Sequence, residues 1–345
     1  MNKETLELTK ALGDFFTIYL PKQKCYSENT ITSYKYAFNL FFDFLRSKKD
    51  ISISKASIKC LSNEYVSEYI DWLSAERNNS ASTCNQRLMA LRSFAQYIGT
   101  NDYSKYMYYT EMKSVPMKKG SAKTVDFLSE SALEALLNQP NTDKSSEMRN
   151  QFMMILMYDT AARCQEILDI RIKDICFNEK APYIYLTGKG NKIRSVPIMD
   201  KTYKHLMNYL KKFHNNYKLT PDEYLFYITT YGKRHQISKD TVESFMKRYG
   251  KLAKRTCSDI PDNVHPHQLR HTRAIHLYRS GMPLSVLSEF LGHSSEETTR
   301  VYAYADTEMK RKAIEKATAD IGIPEETPVW DENDEEMIRK LAGLI

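Results

Sequence analysis

Residues 265–277 read HPHQLRHTRAIHL, and residues 291–302 read LGHSSEETTRVY. In the first stretch His267 and Arg270 stand three apart where the periodicity is helical, so they share one helix face. In the second, Leu291-Gly292-His293 ends a helix at a glycine turn. Tyr302 follows nine residues after His293, on a further helical segment. Five of the eight histidines (His265, His267, His271, His276 and His293) fall in this region, which makes zinc the first idea to test. There is no HExxH arrangement and no clustered cysteine, so no metal site is read here.

Two histidines, an arginine and a tyrosine in one domain suit nucleophilic attack on a phosphodiester. A phenol with an ordinary pKa near 10 is a poor nucleophile alone. It needs cations for the charge that builds on the phosphate, and a group to take its proton. Guanidiniums grip non-bridging oxygens bidentately, where a lysine offers a point charge. Arg270 supplies one, and Arg163 in TAARCQEILDI supplies the second. Lys189, in the turn Gly188-Lys189-Gly190-Asn191, has the reach to protonate a leaving oxygen. Lys192 and Arg194 stand beside it and equally suit contacts to backbone phosphate. Tyr304 is the alternative to Tyr302, about 200° round a helix from it. His271 and His276 read as packing residues, and His265 with Pro266 as the helix entry.

Outward from this region the chain is mostly helical. Apolar spacing predicts helices at 5–20, 28–47, 62–75 and 80–98, then at 129–138, 147–160 and 164–171. Residues 183–186 and 193–198 read as a β-hairpin, and helical signals resume at 200–214, 239–256, 267–280, 283–290, 295–303 and 306–318. Between the halves, SVPMKKGSAKTVDF has no sustained period. With Lys118 and Lys119 it reads either as a linker lying along phosphate or as a plain solvated tether. A second linker at 323–328 precedes a helix at 331–343 with Met337, Ile338, Leu341 and Leu344 on one side. The expected divisions are 1–100, a linker at 101–128, a second domain at 129–319 and a tail at 320–345. The aromatic stripes read as core.

The 345 residues suit two domains, and the 42% hydrophobic content is enough for their cores. A mean hydropathy of −0.55 and the lack of any long apolar run argue against a membrane span. The opening MNKETLELTKALGDFF lacks the apolar region of a signal peptide. Six scattered cysteines without a CxxC pair fit a reducing cytoplasm rather than a disulfide framework. Residues 320–345 carry eight acidic and two basic side chains, so the formal +7 of the chain conceals a body of +13. That charge fits a polyanion partner, most simply nucleic acid, or equally a merely lysine-rich composition.

Taken together, TAARCQEILDIRIKDI, LTGKGNKIRSVPI, HPHQLRHTRAIHL and LGHSSEETTRVY resemble, in order and spacing, the motif series of the tyrosine recombinase (phage integrase) family. The resemblance extends over nearly the whole chain. It implies an N-terminal helical core-binding (SAM-like) domain and a C-terminal α+β catalytic domain, mainly α with a small β-hairpin. It implies that Arg163 and Arg270 grip the scissile phosphate and that Lys189 protonates the departing 5′ oxygen. His267 takes the general acid/base position, His293 hydrogen-bonds the phosphate, and Tyr302 is the nucleophile that forms a 3′-phosphotyrosyl bond. Glu166 matches a supporting acidic position. None of the six catalytic positions is lost. The chain begins almost directly at the core-binding region, as in the simpler Xer-like and transposon-borne members.

The same resemblance implies a clamp on duplex DNA, with four protomers pairing two recombination sites and exchanging strands through a Holliday junction. The protomers are copies of this chain or related recombinases, with a monomer possible in solution. It implies no cofactor, because the phosphotyrosyl link conserves the broken bond's energy, and a C-terminal helix that docks on a neighbour. Candidate DNA contacts in the first domain are Thr30, Ser33 and Lys35, then Thr83, Asn85, Gln86 and Arg87, near helix starts. Each serves equally as an ordinary helix cap. Two other readings stay open: a type IB topoisomerase-like enzyme, and a non-catalytic DNA-binding regulator on the same fold.

Overall fold

The computed structural model describes residues 2–120, 125–178, 180–214, 219–293, 295–305, 311, 314 and 335–344. It divides into two compact units, Met1–Lys123 and Thr124–Ile345. The expected helix at 306–318 and the linker at 323–328 lie outside the described residues, apart from Arg311 and Ile314.

In the first unit, short polar side chains set the helix starts. Asn2 caps α1 (Lys3–Asp14), Ser27 caps α2 (Glu28–Lys49), Ser62 caps α3 (Asn63–Ala75) and Ser80 caps α4 (Ala81–Asn101). The single helix expected at 5–20 is instead α1 continued by a wider π-helical stretch, Phe15–Gln23, which holds Pro21. A proline has no N–H to donate to the helical ladder, and the wider turn accommodates that loss. The core is aromatic as read: Phe15 and Phe38 lie 5.2 and 5.3 Å from Phe94, and Phe41 lies 5.2 Å from Tyr69.

The span expected to be a linker is partly folded. A short turn at Tyr103–Lys105 leads into α5 (Tyr106–Ser114), and Met112 and Val115 are buried in the first unit's core. Arg92 on α4 holds the end of α5, donating to the carbonyls of Met112 (2.9 Å), Lys113 (3.2 Å) and Val115. Lys118 is tied down as well. Its backbone N–H and carbonyl pair with the Asn85 amide at 2.8 and 2.9 Å, and its Nζ meets Asp71 at 2.8 Å.

The second unit starts with α6 (Glu130–Leu137), capped by Ser129, then α7 (Ser145–Thr160) and α8 (Cys164–Asp169). A three-stranded antiparallel sheet follows in the order β1 (Ile175–Cys176), β2 (Tyr183–Thr187), β3 (Ile193–Pro197). Its β2–β3 hairpin is the expected one, with Tyr183 opposite Pro197 and Thr187 opposite Ile193. After α9 (Asp200–Phe213) comes an unexpected hairpin, β4 (Tyr227–Thr230) and β5 (Lys233–Gln236). Its turn residues Tyr231 and Gly232 have φ of 49° and 75°, the left-handed pair that a two-residue hairpin turn requires. The unit continues with α10 (Lys239–Ala253), α11 (Pro266–Arg279), α12 (Leu284–Leu291) and α13 (Glu297–Ala305). Glu335–Leu341 forms a last short helix, α14.

Candidate active site

The site is assembled where helix ends meet. Helix α7 stops at Ala161, which takes a left-handed φ of 48° and turns the chain so that Arg163 opens α8. Glu166, one turn on and 5% exposed, receives the Arg163 backbone N–H at 2.8 Å and the Arg163 Nη1 at 2.7 Å. Arg194 on β3 reaches the same carboxylate with two nitrogens, at 3.2 and 2.7 Å, and its Nε donates to the Phe290 carbonyl at 3.1 Å. Burial alone would raise the Glu166 pKa. The bonds from Arg194 and Arg163 outweigh that and hold it below its ordinary value, so the carboxylate is charged.

Arg270 projects from α11 and is 1% exposed. Its guanidinium donates to the Ala161 carbonyl at 2.8 Å and the Leu291 carbonyl at 2.7 Å, so it joins the ends of α7 and α12. Burial, and then the charge of Arg163, push its pKa down to about 10. His293, just past α12, bonds through Nδ1 to the buried Thr299 hydroxyl at 2.8 Å. Burial, followed by the charges of Arg270, Arg163 and Arg194, brings its pKa down to about 4. His267 is lowered too, by burial and then by Arg270 and His265.

Tyr302 on α13 is 1% exposed, packed with Ala161, Ala274, Ile275, Leu287 and Leu291. Its hydroxyl lies 2.9 Å from the Nδ1 of His271. Burial raises the phenol's pKa, and the charges of Arg270 and Arg163 pull it back. Cavities of about 480 and 460 Å3 flank Arg163, one reaching His267 and Lys239 and the other Lys192, Arg194 and His293. A roomier cavity of about 910 Å3, against Tyr158, Pro182 and Met199, holds none of these groups. Charge, not volume, marks the site: the Arg163 and Arg194 guanidiniums share the one Glu166 carboxylate and that of Arg270 is held by carbonyls, which leaves an excess of positive charge suited to a phosphate.

The structure thus brings Arg163, Glu166, His267, Arg270, His293 and Tyr302 into one cluster. Lys189 lies in the hairpin turn, but its side chain is outside the described residues, as is that of Tyr304. Lys192 is exposed beside the site. Arg194 departs from its expected place on phosphate: at 12% side-chain exposure it is bound to Glu166 and Phe290. His271, read as a packing residue, bonds through Nδ1 to the hydroxyl of Tyr302, the residue read as the nucleophile. Its spacing of four from His267 placed it on the same helix face, and that signal was sufficient to find it. His276 keeps a packing role, bonded to the Tyr158 hydroxyl at 2.9 Å. His265 and Pro266 open α11 as read.

Several candidate DNA contacts of the first unit are engaged within it. The Thr30 and Thr83 hydroxyls meet the capping Ser27 and Ser80 at 3.0 Å each. Arg87 donates to the Ser33 carbonyl and hydroxyl at 3.4 and 3.3 Å and stacks over Tyr36, while Gln86 reaches Ser33 at 3.5 Å. Asn85 is bound to the Lys118 backbone, and Lys35 lies over the Phe16 ring. Lys119 is exposed.

Comparison with known proteins agrees with this geometry. A tyrosine recombinase of Pseudothermotoga lettingae is 29% identical over 302 residues, covering 87% of this chain and 96% of its own. The tyrosine recombinase XerC of Thermodesulfovibrio yellowstonii is 29% identical over 294 residues, covering 84% and 90%. Among solved structures, XerH recombinase bound to a palindromic difH substrate matches with a TM-score of 0.67 at 21% identity, covering 92% of this chain and 89% of that one. The Tn1549 transposon integrase in complex with transposon right end DNA also reaches 0.67, at 16% identity, covering 89% and 98%. Residues 14–99 match the model of the phage integrase N-terminal SAM-like domain, and residues 126–309 match that of the phage integrase family. With more than half its length inside that catalytic model and the motif residues gathered at one site, the chain belongs to the phage integrase family.

Proposed function

We propose that this protein is a site-specific tyrosine recombinase that cuts and rejoins duplex DNA through a 3′-phosphotyrosyl intermediate. The observation that carries the reading is the position of the Tyr302 phenol, buried in the field of two arginines, Arg163 and Arg270. Those arginines hold the non-bridging oxygens of the scissile phosphate, and His293 adds a hydrogen bond through its free ring nitrogen. His267, beside Arg270, matches the position where the family carries its general acid/base. The hairpin lysine, Lys189 or its neighbour Lys192, protonates the departing 5′ oxygen. Glu166 positions Arg163. The bond energy stays in the phosphotyrosyl link, so the reaction uses no added cofactor.

The partner is double-stranded DNA carrying recombination sites, bound by four protomers, as in the lambda integrase tetramer on a Holliday junction whose fold this chain shares. The match of residues 14–99 to the SAM-like domain model favours a recombinase over a topoisomerase-like enzyme. The intact set of six positions favours an enzyme over a DNA-binding regulator. Six free cysteines fit work in the reducing cytoplasm.

The test uses a duplex selected by the protein from a randomised pool and nicked so that the cleaved strand cannot be rejoined. A covalent adduct is expected with the parent and with Tyr304→Phe, and none with Tyr302→Phe. An adduct that survives in Tyr302→Phe overturns the assignment.

A further inference from the structure

The geometry points to His271, and not His267 one turn before it, as the base that takes the proton from Tyr302 when the phenol attacks the phosphate. This rests on the reading of Tyr302 as the nucleophile. His271 lies one turn beyond His267 on α11, and their rings meet edge to face with centroids 4.6 Å apart. Its Nδ1 stands 2.9 Å from the Tyr302 oxygen, within the range of a proton-transferring hydrogen bond. His293 Nδ1 is bonded to Thr299, and the Arg270 guanidinium to two carbonyls. His271 is thus the ring in direct contact with the reacting oxygen.

A base must be uncharged before it acts. His267 and Arg270 face His271 from its own helix, His265 from the helix entry, His293 from the turn after α12, and Tyr302 from α13. Burial, then the charges of His267 and Arg270, push the His271 pKa down to about 4, so at neutral pH the ring is uncharged. With its proton on Nε2, Nδ1 presents a lone pair and the phenol donates to it. As the Tyr302 oxygen bonds to phosphorus, its proton passes to Nδ1. The bond from phosphorus to the 5′ oxygen breaks, and that oxygen takes a proton from the hairpin lysine. The incoming phosphate supplies the negative charge that stabilises the imidazolium. In rejoining, the imidazolium returns the proton to the departing phenolate.

Variants are compared in single-turnover cleavage of the nicked duplex described above. His271→Gln keeps a hydrogen-bonding side chain without a base. It should slow cleavage about a hundred- to ten-thousand-fold and leave a rate that climbs with pH as the phenol ionises unaided. His271→Ala should be equally slow and should accelerate in proportion to added imidazole, a response that a packing role would not produce. A duplex with sulfur in place of the bridging 5′ oxygen, whose leaving group needs no proton, should rescue whichever of Lys189→Ala and Lys192→Ala is slow, but not His271→Gln; rescue of His271→Gln counts against the proposal. Cleavage by His271→Gln within threefold of the parent, with the parental pH profile, overturns the proposal. So does a His271→Ala protein that imidazole leaves unchanged. Loss of the adduct in Tyr302→Phe combined with either result condemns the base alone; survival of that adduct condemns the reading beneath it.

Discussion

Arg194 and Glu166 form a bidentate ion pair, at 3.2 and 2.7 Å, beneath the surface that Arg163 presents. Both Glu166 oxygens also bond to Arg163, one to its backbone and one to its side chain. One carboxylate therefore sets the direction of Arg163, the arginine proposed to hold the phosphate. One guanidinium locks that carboxylate to the hairpin strand and, through the Phe290 carbonyl, to α12, the helix that ends just before His293. Gly292 lets this happen. It has a φ of +63°, and a Cβ there would come within 2.9 Å of Arg194 Nη1.

Breaking this nearly buried pair should cost stability. Arg194→Leu leaves Glu166 buried with only the half-exposed Arg163, and a buried charge that loses its partner typically costs about 3–5 kcal/mol. Adding Glu166→Gln should recover part of that loss without restoring cleavage, because Arg163 would still lack its guide. Gly292→Ala should lose about 1 kcal/mol or more, from the positive φ and the contact with Arg194. Denaturant melts of the three variants check the order.

The two arginines assigned to the phosphate should behave differently from that pair. Arg163→Ala leaves Glu166 paired with Arg194. Arg270→Met gives up two hydrogen bonds but also removes a desolvated cation, so each should melt within about 2 kcal/mol of the parent. Neither should cleave DNA. In the parent, millimolar sulfate should raise the melting temperature by occupying the cationic cluster. Both variants should lose that increment beyond the general effect of salt, and an equal sulfate response in all three would refute an anion site there.

Much of this was legible in the sequence because the chemistry lies in side-chain types at helix ends. Gly292 marked a turn, Pro266 a helix start, and the spacing of His267 and Arg270 a shared face. What escaped depended on partners distant in sequence. Nine residues of α5 show little periodicity alone and are held by Arg92 and the core around Met112. The second hairpin depended on a Tyr231-Gly232 turn between short, polar strands. Arg194 read as a free cation because its partners, Glu166 and Phe290, are 28 and 96 residues away.

The histidines give stability a direction with pH. His271 and His293 have pKa values of about 4 in the fold, against roughly 6.5 in an unfolded chain. Above pH 6.5 both states hold these rings neutral, so their contribution is fully present. As pH falls from about 6.5 toward 4, the unfolded chain takes up protons that the fold refuses, and stability drops. Below about 4.5 Glu166, whose pKa is depressed, adds to the loss. Melting temperature should be level between pH 7 and 8 and decline below 6.5. A His271→Gln, His293→Gln double variant should show a shallower decline, and a profile identical to the parent would exclude these rings as the cause.

The C-terminal helix α14 should matter for assembly rather than for cleavage. Its described residues are Glu335–Leu341, where Arg339 and Lys340 pair with Glu335 and Glu336 one turn back. Ile338, Leu341 and Leu344 are 51%, 68% and 73% exposed, an apolar group that a second copy of the chain would cover. The acidic tail leading to it complements the basic body, which favours that occupant. The residues proposed for cleavage lie between Arg163 and Tyr302, so cleavage should not require the tail. Deleting residues 324–345 should therefore spare the phosphotyrosyl adduct on a single bound protomer. Four-protomer complexes on DNA should be lost, as measured by light scattering of the isolated complex. If the truncated protein still assembles normal four-protomer complexes, the exposed residues of α14 do not hold the ring together.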